Sequence, residues 1–318
     1  MRLSTNSLYQ KNTQSILNTN SKWQKSGLHL ATGKKILTPS DDPMGAAQSL
    51  ILKQAQAQNE QFQATRESTE KTLSRQDTLL SEINTVIQSI QETLVYAANE
   101  TLNEENRLDI ANKLQGLKDQ LFSLANSKDT NGNYIFAGKK NDTPPFIKNE
   151  SGEVTYIGGS TSINVLIDDS REVSASFTGI QVFMTDANVK NADGSPAESN
   201  IFASIDYALD ALKADLNYDD EKSVEAFREG LSKARNGVDN SFSNISTLRA
   251  EGGSVLSEVN RLITLGKTLD IEFQTQISQF EDVDWYDAIS EYAILQANLQ
   301  AAQYTFMTMQ SMSLFQMK

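Results

Sequence analysis

His29 is the only histidine of the chain and there is no cysteine, so most constellations that carry chemistry are missing before any fold is considered. A histidine-based metal site would have one ligand of that type. A nucleophile, base and orienting acid would all depend on one imidazole. The spacing of His29, four residues before Gly33, instead suits the surface of a helix end or joint. Without cysteine there can be no disulfide, thiolate metal site or thiol nucleophile. Paired carboxylates occur at Asp41/Asp42, Asp168/Asp169 and Asp219/Asp220. Each pair lies beside a turn or helix start, where a carboxylate accepts free N–H groups and favours the positive end of the helix dipole. General acid–base work would further require burial and convergence. The run DANVKNADG (186–194) has oxygen-bearing side chains but places Lys190 where a calcium loop needs a ligand, and reads as a solvated loop. GNYIFAG (132–138) spaces its glycines around an apolar strand and matches neither a phosphate loop nor a dinucleotide fingerprint. No catalytic, cofactor-binding or metal residue is therefore assigned, and a non-enzymatic role is expected.

Charge narrows the partners. With 28 basic and 41 acidic residues the net charge is −13, which opposes sequence-independent binding to a polyphosphate backbone. The imbalance is uneven: residues 1–40 carry Arg2, Lys11, Lys22, Lys25, Lys34 and Lys35 and no acid. Residues 1–26 hold no apolar core of secretory-signal type, and no window approaches the ~18 apolar residues of a membrane span. Membrane insertion is not expected.

The punctuation divides the chain. Its five prolines are Pro39, Pro43, Pro144, Pro145 and Pro196, which leaves 44–143 and 197–318 free of a residue that costs a helix interior ~3 kcal/mol. Leu73, Leu80, Ile87 and Leu94 recur every seven residues, with Ile83, Ile90 and Ala97 three positions on, the two columns of a coiled-coil-like seam. Ile110, Leu114, Leu117, Leu121 and Leu124 form a returning seam. A third pairs Val224, Leu231, Val238, Ile245, Val259 and Phe273 with Phe227, Ala234, Leu248, Val255, Leu262 and Leu269. Helices this long need neighbours to bury their stripes. Between the halves, 141–198 is rich in β-branched and aromatic residues broken by Gly, Pro and Asp, and reads as a small antiparallel β domain with NADGSP (191–196) as an exposed loop. The expected fold is mainly α with a small β insert: an elongated bundle of long helices from both halves, paired terminal helices and a protruding β domain. The expected divisions are 1–44 with 283–318 for polymerisation, 45–140 with 199–282 for a rod-like bundle, and 141–198 as an outward-facing insert.

The two ends match. Ala288, Tyr292, Leu295, Leu299, Ala302, Phe306 and Met309 alternate steps of four and three, and Tyr9, Ile16, Trp23 and Leu30 repeat at seven beside polar or small Thr13, Asn20 and Gly27. Each helix alone is marginal in water, so the two can pair and still offer apolar edge to further copies, ordering on assembly. An ordinary intramolecular hairpin explains the same pattern. Between Leu30 and the next helix, Gly33 suits a left-handed helix end; Ser40, Asp41 and Asp42 offer acceptors for the new helix, and Pro43 fits its first turn.

The stretch LATGKKILTPSDDPMGAA (30–47) resembles the signature of the bacterial flagellin superfamily. MRLSTNSLYQ at the start, ETLVYAANETL, LQGLKDQLFSLANSKDTNGNYIFAGKKNDTPPF and the terminal SLFQMK resemble the hook-associated protein 3 branch, the hook–filament junction proteins. These segments span nearly the whole chain. The resemblance implies a structural subunit that is exported by the flagellar type III apparatus and assembles outside the cell. It would form a ring-like assembly with copies of itself, beyond hook-associated protein 1 and beneath flagellin. It also implies an export chaperone that masks the C-terminal region. A flagellin filament subunit, or a free coiled-coil rod displaying a β binding module, are the alternatives.

Overall fold

The computed structural model describes residues 2–315 except 100, 101, 151, 185–199 and 217–219, and side chains from residue 7 to residue 311. The 191–196 loop, Lys190 and Asp219 lie outside the described residues. Among the described residues seven helices run in chain order: α1 (Arg2–Thr32), α2 (Pro43–Ala97), α3 (Glu104–Ala125), α4 (Gly179–Phe183), α5 (Ile201–Lys213), α6 (Glu221–Glu281) and α7 (Trp285–Phe315). Strands β1 (Phe146–Lys148), β2 (Val154–Tyr156), β3 (Asn164–Asp168) and β4 (Arg171–Ser174) fall between α3 and α4. The chain forms two compact units, Met1–Glu60 with Gly266–Lys318 and Gln61–Leu265, and both α2 and α6 contribute to each.

The second unit holds the larger core. The columns of α2 are buried from Leu80 through Ile83, Ile87 and Ile90 to Leu94, against Leu114 and Leu121 of α3 and Ala234, Val238 and Ile245 of α6. Local signals set the helix ends. Asn103 caps α3 by accepting the Asn106 N–H at 2.7 Å, with Glu104 and Glu105 in the first turn, and Asn200 caps α5 by accepting the Phe202 N–H at 2.9 Å. Helix α5 is an element beyond the three seams. Its buried Ile201, Ile205, Ala208 and Leu212 follow the same three-and-four spacing over 13 residues.

The β segment is antiparallel, but it consists of two separate two-stranded ladders, β1–β2 and β3–β4. The stretch that could have joined them is spent on a neighbouring loop. Gly159 N–H donates to the Ala137 carbonyl at 2.8 Å, and the Tyr156 hydroxyl donates to Gly159 O at 2.7 Å. Gly138 has φ 60° there, and a Cβ on it would stand 2.8 Å from that same Gly159 oxygen. The apolar side of the first ladder is built into the helical core. Phe146 lies 5.1 Å from Phe183 and 5.6 Å from Phe202, ring centre to ring centre.

Buried polar side chains fasten the remainder. Gln76 donates to Ile135 O and accepts from Phe177 N–H at 3.0 Å. Arg66 reaches Ile167 O at 2.7 Å, tying the second ladder to α2. Lys118 pairs with Asp206 at 2.5 Å between α3 and α5. Each satisfies backbone or charge that would otherwise be stranded away from water.

Ile87 is 0% exposed. Ile87→Ala is expected to lower the unfolding free energy of this unit by about 2–5 kcal/mol, and Leu108→Ala, on an exposed face, by less than about 0.5. Urea titration followed by circular dichroism compares them; equal small effects would remove Ile87 from the core.

Candidate assembly interface

Helices α1 and α7 pack antiparallel along the first unit. Tyr9 meets Phe306 edge to face at 6.1 Å and its hydroxyl approaches Met309 O at 3.4 Å; Trp23 stacks on Tyr292 at 5.6 Å; and Gly33 faces Trp285. The residues of α7 turned toward α1 are Ala288, Tyr292, Leu295, Leu299, Ala302, Phe306 and Met309, all buried or half-buried. Tyr9, Ile16, Trp23 and Leu30 supply one column of α1. The other column is Asn12, Thr19 and Ser26, one position before the Thr13, Asn20 and Gly27 set; Thr13 is exposed, whereas Asn20 and Gly27 remain half-buried beside it. The 12–19–26 repeat is present in the sequence, but its residues are small and polar and do not register as a hydrophobic seam.

A polar column makes a weak seam. Asn12 donates from Nδ2 to the Met309 sulfur at 3.3 Å, a poor acceptor, and the buried Trp23 Nε1 has no acceptor among the described residues. An unsatisfied buried donor costs about 1–3 kcal/mol. The pair is thus closed by aromatic and aliphatic contact along one stripe of each helix.

The other side of α7 is unusual for a face open to water. Tyr286 is 84% exposed and Tyr304 72%, with Ile289, Ile294 and Met307 also exposed. Residues 292–317 contain no charged side chain. A helix with one covered face normally carries charge on the opposite one; a helix apolar or neutral all round belongs in an interior.

The joint at the base of the pair is fixed by polar contacts. Gly33 ends α1 at φ 68°. His29 Nδ1 donates to Lys34 O at 2.8 Å, so the sole imidazole holds a helix end. Asp42 caps α2 by accepting the Gly45 N–H at 3.0 Å, directly before Pro43 in the first turn. Asp41 does not cap α2. It accepts Leu37 and Thr38 N–H at 3.1 and 2.9 Å and pairs with Lys25, and these contacts, Lys25 foremost, hold its carboxyl well below the usual carboxylate range. Ser40 bonds the Thr38 hydroxyl at 2.8 Å within the link instead of reaching the helix. A Cβ on Gly45 would stand 2.9 Å from Ile36 Cδ1, the movable end of that side chain.

Glu281, the last residue of α6, had no signal in the local sequence, yet it organises this joint. It accepts from Lys34 Nζ at 2.9 Å and from Ser49 Oγ and Lys53 Nζ, which lie over 200 positions away in sequence. Its backbone takes part too: Lys35 N–H donates to Glu281 O at 2.6 Å, and Val283 N–H to Gly33 O at 2.9 Å. Burial opposes the charged form, but the Lys53, Ser49 and Lys34 bonds outweigh it and hold the carboxyl down to about 2. Elsewhere, Asp168 accepts the Asp169 N–H, and Asp220 accepts the Lys222 N–H. These carboxylates serve turns and helix starts.

Comparison with known proteins follows the same outline. The model of the bacterial flagellin N-terminal helical region matches residues 3–141, and that of the C-terminal helical region matches 236–317. The chain is 42% identical over 319 residues to flagellar hook-associated protein 3 of Escherichia coli K12, covering 100% of this chain and 99% of the relative. The corresponding protein of Salmonella typhimurium LT2 is also 42% identical, over 322 residues, with the same coverage. Among solved structures, a hook-associated protein of Vibrio parahaemolyticus superposes with a TM-score of 0.65 at 20% identity, covering 76% of this chain and 100% of that one. The flagellar junction protein FlgL of Legionella pneumophila gives 0.60 at 19%, covering 74% and 100%. At these identities the structural matches speak to fold.

Because the Glu281 carboxyl titrates at about 2 when folded against an ordinary 4.5, its stabilisation is complete above pH 4.5 and is lost as the pH falls toward 2. Glu281→Gln is expected to weaken the joint at pH 7 by about 1–2 kcal/mol and to flatten this acid step. Amide exchange at Lys35 and Val283 between pH 3 and 7 reads it directly; an unchanged pH profile would remove Glu281 from its role.

Proposed function

The chain belongs to the flagellar hook-associated protein 3 family within the bacterial flagellins, and from that premise we propose that it is a structural subunit at the junction between hook and filament. It polymerises through α1 and α7. The observation that carries this reading is the absence of charge on α7 beyond Glu291: one stripe is covered by α1, and the exposed side there, with Ile294, Tyr304 and Met307, is chemically suited to burial. Fully burying one large apolar side chain contributes ~1.5–3 kcal/mol, so a handful of such residues supplies a strong drive to associate before ordering costs. Tyr9, Ile16, Trp23, Leu30 and the Ala288-to-Met309 stripe close the hairpin that presents this surface.

The remaining assignments follow the family. Residues 1–44 with 283–318 act in polymerisation, 45–140 with 199–282 in the subunit wall, and 141–198 faces outward. Copies of the chain form the ring, with hook-associated protein 1 on one side and flagellin on the other. The protein leaves the cytoplasm through the flagellar type III apparatus and works outside the cell, and an export chaperone covers the neutral C-terminal helix beforehand. The role is mechanical, not catalytic: the carboxylates and the histidine described above are engaged in caps, turns and ion pairs.

Tyr304→Asp with Met307→Asp is expected to leave the helix content and the second unit's stability unchanged and to reduce incorporation into flagella at least tenfold, measured by immunoblot of sheared flagella. Removing 285–318 should abolish it. Normal junctions from either variant would sink the reading. In the purified monomer, amides of 7–30 and 285–311 are expected to exchange at least tenfold faster than those of 80–94 and 234–248 by mass spectrometry; equal protection would favour a self-contained hairpin and a free rod-like binding protein.

A further inference from the structure

The turn between α6 and α7 and a small pocket in the second unit carry complementary chemistry that the assembly through terminal helices leaves unused. Tyr286 is the most exposed large apolar side chain of the protein among the described residues. Its backbone N–H is fixed by Asp284 Oδ1 at 2.9 Å, so the ring projects from a rigid helix start, beside Asp287 in the first turn. A projecting aromatic next to a carboxylate is a costly arrangement to leave in water and a common anchor at protein interfaces.

The pocket lies between the C-terminal end of α2 and the first turns of α6. Leu94, Phe227 and Leu231 form an apolar floor, and Arg228, Ser232 and Arg235 stand on its rim. Its volume is about 210 Å³, below the ~300 Å³ at which pockets begin to hold small-molecule ligands. A single large side chain is the fitting occupant. Two guanidinium groups over an apolar floor suit an aromatic ring followed by an acid, by cation–π attraction and by forked pairing with a carboxylate. Arg235 is well exposed and only 3.9 Å from Asp239, a loose pair, whereas the nearby Glu229 is held by Lys233 at 2.8 Å.

We infer that Tyr286 and Asp287 of one copy dock into the Arg228/Arg235 pocket of a second copy, as an aromatic plug with a carboxylate latch. The inference rests on the reading of the chain as a self-assembling flagellar subunit. Charge complementarity commits the occupant: the turn has Asp282, Asp284 and Asp287 around its aromatics, and the pocket offers arginine. Because Tyr286 lies on the α7 side turned from α1, docking leaves the hairpin intact.

The chain has no cysteine of its own, which makes the test direct. Full-length Ser290→Cys and Ser232→Cys chains, the first carrying its cysteine on an exposed position one turn after Tyr286, are co-expressed in cells lacking the wild-type chain, and sheared flagella are treated with a short bis-maleimide. The expected result is a dimer of this chain from the mixture and none from either variant alone. Tyr286→Ala or Asp287→Arg placed in the Ser290→Cys chain should lower the dimer yield about tenfold, and Arg235→Asp in the Ser232→Cys chain should restore it for Asp287→Arg. Both variants incorporated without a dimer, or a cross-link to a different protein, overturns the docking but leaves the junction role standing. A wild-type chain absent from flagella would overturn the junction role itself and the docking with it.

Discussion

The first unit depends on one carboxylate. Glu281 gathers two lysines and a serine from the start of the chain onto the last residue of α6, while its backbone and that of Val283 pair with the Gly33–Lys35 link. Four crossing segments are thereby fixed within one turn of α1 and α7. Because α1 arrives at the clamp and α7 leaves it on the same side, the register of their antiparallel pairing is set at its base. Tyr292 then meets Trp23 and Phe306 meets Tyr9 by helical rise alone. A buried ion pair seldom adds much net stability, but it imposes geometry, because the wrong register would leave a desolvated charge unpaired.

That geometric role explains why the seam above the clamp can be poor. Asn12, Thr19 and Ser26 give α1 a second column with little to bury, and the indole N–H of Trp23 has no acceptor. A longer apolar seam would close the hairpin more tightly. It would also make the ends costly to separate, which would conflict with the proposed export of an unfolded chain and with the proposed pairing of α7 with neighbouring copies. Weak closure held in register suits both requirements.

What could be read in the sequence was what repeats or caps locally. The columns through Leu80, Ile87 and Leu94 and through Leu231, Val238 and Ile245 announce themselves at seven residues, and all are buried. Gly33 and the Asp42–Pro43 pair mark a helix end and start by their own backbone chemistry. The family was legible from long motifs in order. What stayed hidden depends on distant partners. Glu281 meets Ser49 across 232 positions, and nothing near it in sequence distinguishes it from other surface acids. The division of the β segment into two ladders follows from Gly159 bonding to Ala137, a pairing no strand propensity encodes. Helix α5 is short enough that its stripe merges with the turns around it.

Charge segregation completes the picture of how such a chain can be soluble and yet assemble. All 41 acidic residues lie between Asp41 and Glu291, against 21 basic ones, so the middle of the sequence carries −20 and sets the sign of the chain's net charge of −13. The N-terminal 40 residues are acid-free, and 292–317 are uncharged. Copies brought together along their acidic middles repel, at a range set by the Debye length of roughly 8 Å in physiological salt. Copies brought together along α7 beyond Glu291 meet no charge, and along α1 only basic side chains. The route of closest approach is therefore written in where the acids are missing.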